Sequence, residues 1–195
     1  MTAPIIATSH AYFFGYGSLV NRDTHDFKEA HPARLNGWRR RWRPTSLREV
    51  AFLSVVPDEA CSINGLIAPV PDSDWHALDI REGAYDRVPA AHMVEHPLPH
   101  APQIAVYAVP KAHDAPQERG HCLLLSYIDV VVQGYLREFG AEGAQHFFDT
   151  TDGWEVEVLN DRAAPQYPRA CRLSAAETAV VDDGLAQLPV RMRRA

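Results

Sequence analysis

The sequence predicts an α+β fold from three features of its layout. Strand-like segments crowd roughly the first 110 residues, helical periodicity begins only near residue 120, and the two types do not alternate as in a doubly wound sheet. At 195 residues the chain has the size of one domain with a sizeable core. The expectation is a single domain over residues 1–195, with its core at about 11–110 and a helical C-terminal part at about 120–190.

Tyr12-Phe13-Phe14 is a run of large β-formers suited to a core strand. It stops at Gly15 and Gly17, residues that admit positive φ or the close approach of another molecule to the backbone. Residues 21–31 are polar and mixed, expected as a loop with a short helix. Over residues 32–42, apolar and arginine side chains partly alternate, which suits a strand with one face buried and solvated arginines on the other. Residues 51–56 and 62–70 read as two more strands, antiparallel neighbours separated by Pro57-Asp58-Glu59, with Gly65 marking a bulge or close packing. Asp72 or Ser73 is the expected N-cap of a short helix that turns Trp75, Ala77 and Leu78 inward and stops near Gly83. Residues 84–93 return to extended structure, the proline-rich stretch 96–102 cannot lie centrally in a sheet, and 104–109 is the last expected strand.

In the C-terminal part, Leu124, Ile128, Val131 and Tyr135 fall at helical spacing, with Leu125, Val132, Leu136 and Phe139 as a neighbouring row. A helix over 120–139 that is apolar around so much of its girth is expected to pack on the sheet. A short helix follows at 141–149. Ser174-Ala175-Ala176-Glu177 has the pattern of a capping box that opens a third helix, closed by Pro189.

Composition narrows the function classes. Apolar residues make up 46% and charged residues 23%, ordinary for a folded protein, and the net charge of −6 argues against a nucleic-acid partner. Cys61, Cys122 and Cys171 are widely spaced, forming neither a disulfide framework nor a zinc pattern, and a reducing cytosol suits them. Residues 1–10 lack the basic start and apolar stretch of a signal peptide, and no apolar run approaches membrane-span length. A cytoplasmic protein without a membrane partner is expected; the oligomeric state is left open.

Glu82 is the leading catalytic candidate. It stands at a helix-to-strand junction between Arg81 and Gly83, a place that can set a carboxyl group in a cleft, although most glutamates are simply solvated. The Gly15–Leu19 stretch exposes successive N–H groups that suit a carboxylate or a developing oxyanion, although a sharp turn is the commoner meaning of such a segment. Metal chemistry has little support: His96 and His100 lie in the proline-rich loop, and no HExxH or Cys/His cluster occurs. Ser18 is not in a G-x-S-x-G elbow, His121-Cys122 is only an adjacency, and neither nucleotide-binding glycine pattern is present. No metal and no cofactor are expected.

Two motifs together carry a family resemblance. Phe14-Gly15-Tyr16-Gly17-Ser18-Leu19, followed about sixty residues later by Leu78-Asp79-Ile80-Arg81-Glu82-Gly83-Ala84-Tyr85, resembles the γ-glutamylcyclotransferase superfamily, its ChaC-type and AIG2-like branches. Pro32-Ala33-Arg34-Leu35-Asn36-Gly37-Trp38-Arg39-Arg40 resembles the second-strand segment of ChaC-like members, and Ser126-Tyr127 and Gly134-Tyr135-Leu136 resemble some bacterial members. The resemblance covers roughly residues 12–109. It implies a mixed β-barrel flanked by helices, substrate binding by Tyr16, Gly17, Ser18 and Leu19 largely through backbone groups, and Glu82 as acid/base catalyst. Val20-Asn21-Arg22 departs from the Ile-Trp-Arg that follows this loop in ChaC sequences, which leaves glutathione specificity open.

The implied reaction is attack by a substrate's own α-amine on its γ-glutamyl carbonyl, releasing 5-oxoproline and an amine or peptide. An intramolecular reaction draws most of its acceleration from orientation, so one carboxylate that shuttles a proton suffices. Arg22 or Arg39 is a candidate partner for the substrate carboxylate. The leaving group is expected to meet residues 95–103 and the C-terminal helices. The competing class is a small-molecule binding or interaction protein that keeps the cavity without turnover, and a third option is a cyclotransferase acting on a specialised γ-glutamylated metabolite.

Overall fold

The computed structural model describes residues 11–27, 29–115 and 120–194. The signal-peptide reading of residues 1–10 lies outside these. Ten strands form one mixed sheet, with three α-helices among the described residues. The pairing order runs β10-β9-β7-β3-β1-β6-β4 without joining its two ends, and β2, β5 and β8 extend from β3 along a second path.

Strand β1 (Ala11–Gly15) is buried along its whole length, as its unbroken apolar run requires. It is antiparallel to β3 (Arg48–Pro69) on one side and parallel to β6 (Gln103–Ala108) on the other. The expected break at Pro57 is absent, and β3 is one 22-residue strand that pairs with β2 (His31–Thr45) in a long hairpin. The turn-forming residues become a bulge instead. Asn36 pairs with Ser62 and Trp38 with Pro57, so four residues of β3 loop out opposite Gly37, whose φ of +76° lets β2 follow the bend.

That bulge also decides the fate of the arginines. Trp38, Arg40 and Trp42 share one face by the two-residue period of a strand, and that face is the core. Arg40 is therefore fully buried, while Arg39 and Arg41 face outward, which corrects the expectation of solvated arginines. The Arg40 guanidinium donates to Tyr16 O (3.3 Å), Asn64 O (2.6 Å), Thr150 Oγ1 (2.6 Å) and Tyr135 Oη (2.6 Å), and lies 4.7 and 5.3 Å from the ring centroids of Tyr135 and Phe147.

The N-cap of α1 (Trp75–Arg81) is Asp74, which accepts from Ala77 N; Asp72 and Ser73 precede it at positive φ, and Ala77 is exposed. β4 (Asp86–Pro89) and β5 (Val94–Glu95) follow. The sheet does not end at β6: β7 (Cys122–Leu124), β8 (Thr151–Asp152), β9 (Glu157–Asn160) and β10 (Met192–Arg194) all belong to it. They are too short to show a two-residue period. Helix α2 (Leu125–Asp149) holds both expected helices, divided at Gly140, whose φ of +71° and ψ of −170° leave helical space. Helix α3 (Ala175–Ala186) opens on the expected capping box, with Ser174 accepting from Glu177 N and Glu177 from Ser174 N. Among the described residues, no helix is long and apolar enough to cross a membrane.

Candidate active site

Strand directions bring the two sequence motifs together. β1 and β6 are parallel and β4 is antiparallel to β6, with Asp86 opposite Ala108. The start of β4 therefore lies beside the finishing ends of β1 and β6. Gly15 closes β1 and Glu82 stands just before β4, so both reach the same edge of the sheet. A cavity of about 560 Å³ opens there, lined by Gly15, Tyr16, Gly17, Ser18, Leu19 and Glu82 among others. The first half of β3, which runs past the end of β1, supplies a wall through Phe52 and Leu53.

The loop is held from below. A 3-10 turn at Ser18–Val20 follows Gly17, with Val20 N bonded to Gly17 O and Asn21 N to Ser18 O, both at 3.0 Å. Asn21 is buried and donates to Val130 O and Gln133 Oε1 of α2, both at 2.9 Å. Gly134 lets α2 approach this closely, since a Cβ there would lie 2.6 Å from Asn21 N. The Tyr16 hydroxyl donates to Tyr107 O at 2.7 Å, and its carbonyl accepts from Arg40 and from the Tyr135 hydroxyl (3.0 Å). Tyr16 thus anchors the loop through both its side chain and its carbonyl.

Glu82 caps α1 through its N–H to Leu78 O (2.9 Å), and its carbonyl accepts from Tyr85 N (2.7 Å), which fixes the junction. Its half-buried carboxylate lies 3.3 Å from Arg81 Nε. Burial raises its pKa, against the opposing pull of Arg81 and Arg169. Above it, Tyr85 donates to Leu53 O at 3.1 Å with its ring edge-on to Phe52; burial first, then Glu82, push its phenol up.

The remaining wall comes from the C-terminal part. Tyr127, in the first turn of α2, lies against the loop: a Cβ on Gly17 would lie 2.6 Å from its hydroxyl. Residues 166–169 cross over Tyr127, with Tyr167 edge-on to it at 4.9 Å. That segment is secured by Asp161, which is fully buried and accepts from Gln166 N (2.8 Å), Ser126 N (2.8 Å) and Ser126 Oγ (2.6 Å).

All five residues singled out in the sequence line this cavity, whereas Arg22 and Arg39 do not. Arg22 pairs with Glu138 at 2.6 Å, and Arg39 with Asp152 at 2.8 Å, both away from it. Residues 95–103 are also absent from the lining, and the start of β3 with residues 166–169 stands where they were expected. Arg48, Tyr127, Tyr167 and Arg169 escaped sequence reasoning. Tyr127 had two signals, the Ser126-Tyr127 resemblance and its place outside both apolar rows of its helix, but neither marked it as a site residue; the other three had none. Among the described residues, no group of three or more His, Cys, Asp or Glu side chains is placed to hold a metal.

No family model matches the sequence, and no curated protein matches it. Solved structures do. YkqA from Bacillus subtilis is similar at 20% identity and a TM-score of 0.52, over 74% of this chain and 56% of that one, so the chain spans little more than half of YkqA. A γ-glutamyl cyclotransferase structure matches at 12% identity and a TM-score of 0.53, over 88% of this chain and 98% of that one. An uncharacterized protein from Homo sapiens matches at 12% identity and 0.53, over 89% and 99%. With its mixed sheet, three helices and the cavity at the end of β1, the chain has the γ-glutamyl cyclotransferase-like fold.

Proposed function

We propose that this protein is a γ-glutamyl cyclotransferase. The observation that carries the reading is Glu82, a half-buried carboxylate with a raised pKa, sharing one cavity with the Gly15–Leu19 loop. In the reaction, a γ-glutamyl substrate binds with its glutamyl half on the loop. The Glu82 carboxylate takes a proton from the α-ammonium, and the freed amine attacks the γ-carbonyl to form a tetrahedral oxyanion. Glu82 then returns that proton to the departing nitrogen as the old C–N bond breaks and takes the second proton from the ring nitrogen, leaving the neutral lactam 5-oxoproline; that proton passes to the released amine, which departs as an ammonium. Two protons leave the α-nitrogen and two reach the departing nitrogen, so one carboxylate acting twice completes the cycle.

The physical sense of the site supports this order. Burial makes Glu82 a stronger base than an exposed glutamate, closer to the pKa at which a shuttle works in both directions. Backbone N–H groups at Gly17, Ser18 and Leu19 would hold the substrate carboxylate or the oxyanion, beside the Tyr127 hydroxyl. Arg40 and Asn21 keep those groups in place before substrate arrives, so little reorganisation is needed.

The test is release of 5-oxoproline from γ-glutamyl amino acids, glutathione and γ-glutamylamines, run beside Glu82→Gln. Release by the native protein and none by the variant is the expected result. Release that survives Glu82→Gln would remove Glu82 from its role. Silence from folded protein across the whole panel would favour a binding protein.

A further inference from the structure

The cavity is unusually cationic for an acidic chain. Its lining holds three guanidiniums, Arg48, Arg81 and Arg169, against one carboxylate, Glu82, in a protein of net charge −6. Arg81 is paired with Glu82. Arg48 and Arg169 have no carboxylate within ion-pair distance among the described residues. Arg48 is held instead by its own strand, donating to Val50 O at 3.0 Å and lying 3.5 Å over the Phe52 ring, both on the cavity wall.

These cations occupy one end of the cavity. The loop end is buried, with Phe14, Tyr16 and Leu53 almost inaccessible, whereas Arg48, Gln166, Pro168 and Arg169 are exposed at the mouth. Under the reaction proposed above, on which this inference rests, the glutamyl half sits at the loop end and the leaving half points to the mouth. The glutamyl half carries one ammonium and one carboxylate and is neutral overall. It cannot balance the excess positive charge, so that task falls to the leaving half. Arg48 reaches the mouth from the β2–β3 hairpin and Arg169 from the segment held by Asp161, so a group emerging between them meets charge from two independent supports.

We propose that Arg48 and Arg169 select substrates whose leaving amine bears a carboxylate, a γ-glutamyl amino acid or peptide with a free C-terminus, over neutral or cationic γ-glutamylamines. Substrate enters with its second carboxylate at the mouth, and the product amine leaves as an amino acid or peptide.

A matched pair of ligands isolates that one charge: γ-glutamylglycine and γ-glutamylglycinamide. Their binding to the Glu82→Gln protein is measured by calorimetry, and 5-oxoproline release from both is measured with the native protein. The acid is expected to bind about tenfold more tightly, the size of one charge-assisted contact. The advantage is expected to vanish in Arg48→Gln/Arg169→Gln, to persist in Arg48→Lys/Arg169→Lys, and to shrink in 1 M salt as the exposed charges are screened. Both positions are exposed, and unchanged thermal melting of the variants verifies their folding. Equal binding, tighter binding of the amide, or binding of neither ligand would overturn the inference. Equal turnover of acid and amide would overturn it while leaving the cyclotransferase reading intact. Arginine-dependent binding of the acid with no 5-oxoproline from any substrate would sink the reaction and leave the anion selectivity standing.

Discussion

Replacing Arg40 by methionine probes what holds the loop. A buried ion can often be exchanged for an apolar side chain at no loss, because its desolvation cost disappears with it. Here the partners decide otherwise. Two of the four acceptors, Tyr16 O and Asn64 O, are backbone carbonyls that no single substitution removes. The Tyr135 hydroxyl approaches both, at 3.0 and 2.7 Å, but has one proton and can satisfy one of them. Thr150 keeps its own bond to His146 O at 2.5 Å. Arg40→Met therefore orphans one buried carbonyl, at about 1–3 kcal/mol. Two cation–π contacts, with ring centroids at 4.7 and 5.3 Å, disappear as well, at about 0.5–1 kcal/mol each. The expected loss is about 3–4 kcal/mol once the void left by the guanidinium is included. With a urea m-value of about 2 kcal/mol/M, the unfolding midpoint should fall by about 1.5–2 M. Equilibrium urea unfolding followed by tryptophan fluorescence reads this directly, because Trp154 packs against Phe147 beside the guanidinium. Arg40→Lys keeps the charge but loses the planar fork and should fall between the two. A methionine variant within about 1 kcal/mol of the native protein would refute the reasoning. It would mean that the burial cost of the cation offsets everything its partners gain.

Four further outcomes are expected. Because burial raises the Glu82 pKa, the acidic limb of kcat/KM should lie above the ordinary glutamate value of about 4.3, activity falling as pH drops through it; Arg169→Gln, which removes an opposing charge, should move the limb upward. The same shift has a stability sign: the folded state prefers the protonated form, so Glu82→Gln should stabilise the protein above the folded pKa, and the gain should fade as pH falls towards the unfolded value. A limb at or below about 4.3, or a destabilised glutamine variant at neutral pH, would contradict this. Gly17→Ala should lower 5-oxoproline release at least tenfold by driving a Cβ into the Tyr127 hydroxyl; adding Tyr127→Phe should recover part of the loss, because the ring carbon beneath lies at an ordinary 3.8 Å. Asp161→Asn turns one acceptor oxygen into a donor facing N–H groups; trypsin should then cut after Arg169 faster than in the native protein, and unchanged cleavage would separate Asp161 from the order of that segment.

Much of the architecture was legible because the signals are local. The Tyr12-Phe13-Phe14 run specified a fully buried strand, the Ser174–Glu177 pair a capping box, and Gly140 lies where the two apolar helices divide. Local signals also misled where tertiary pairing overrode them. Pro57-Asp58-Glu59 has the chemistry of a turn, yet β2 continues past it and keeps β3 extended, so the surplus residues bulge. Ala77 follows the helix as expected but finds nothing to pack against.

The site divides in the same way. The paired motifs singled out the loop from Gly15 to Leu19 and the carboxylate of Glu82 as candidates, and the fold places both on one cavity. What surrounds them is a product of the fold. That Arg40 would bury its charge beneath the loop depended on the phase of a strand reset by a bulge at Gly37. That Arg48, Tyr127 and Arg169 would share a cavity with Glu82 depended on a hairpin, a helix start and a loop pinned by Asp161, parts of the chain that carry no record of one another. Covalent neighbours impose a backbone conformation through short-range sterics and hydrogen bonding, and sequence displays those directly. The field inside a cavity is the sum over whatever the fold brings near, and that sum exists only once the sheet has formed.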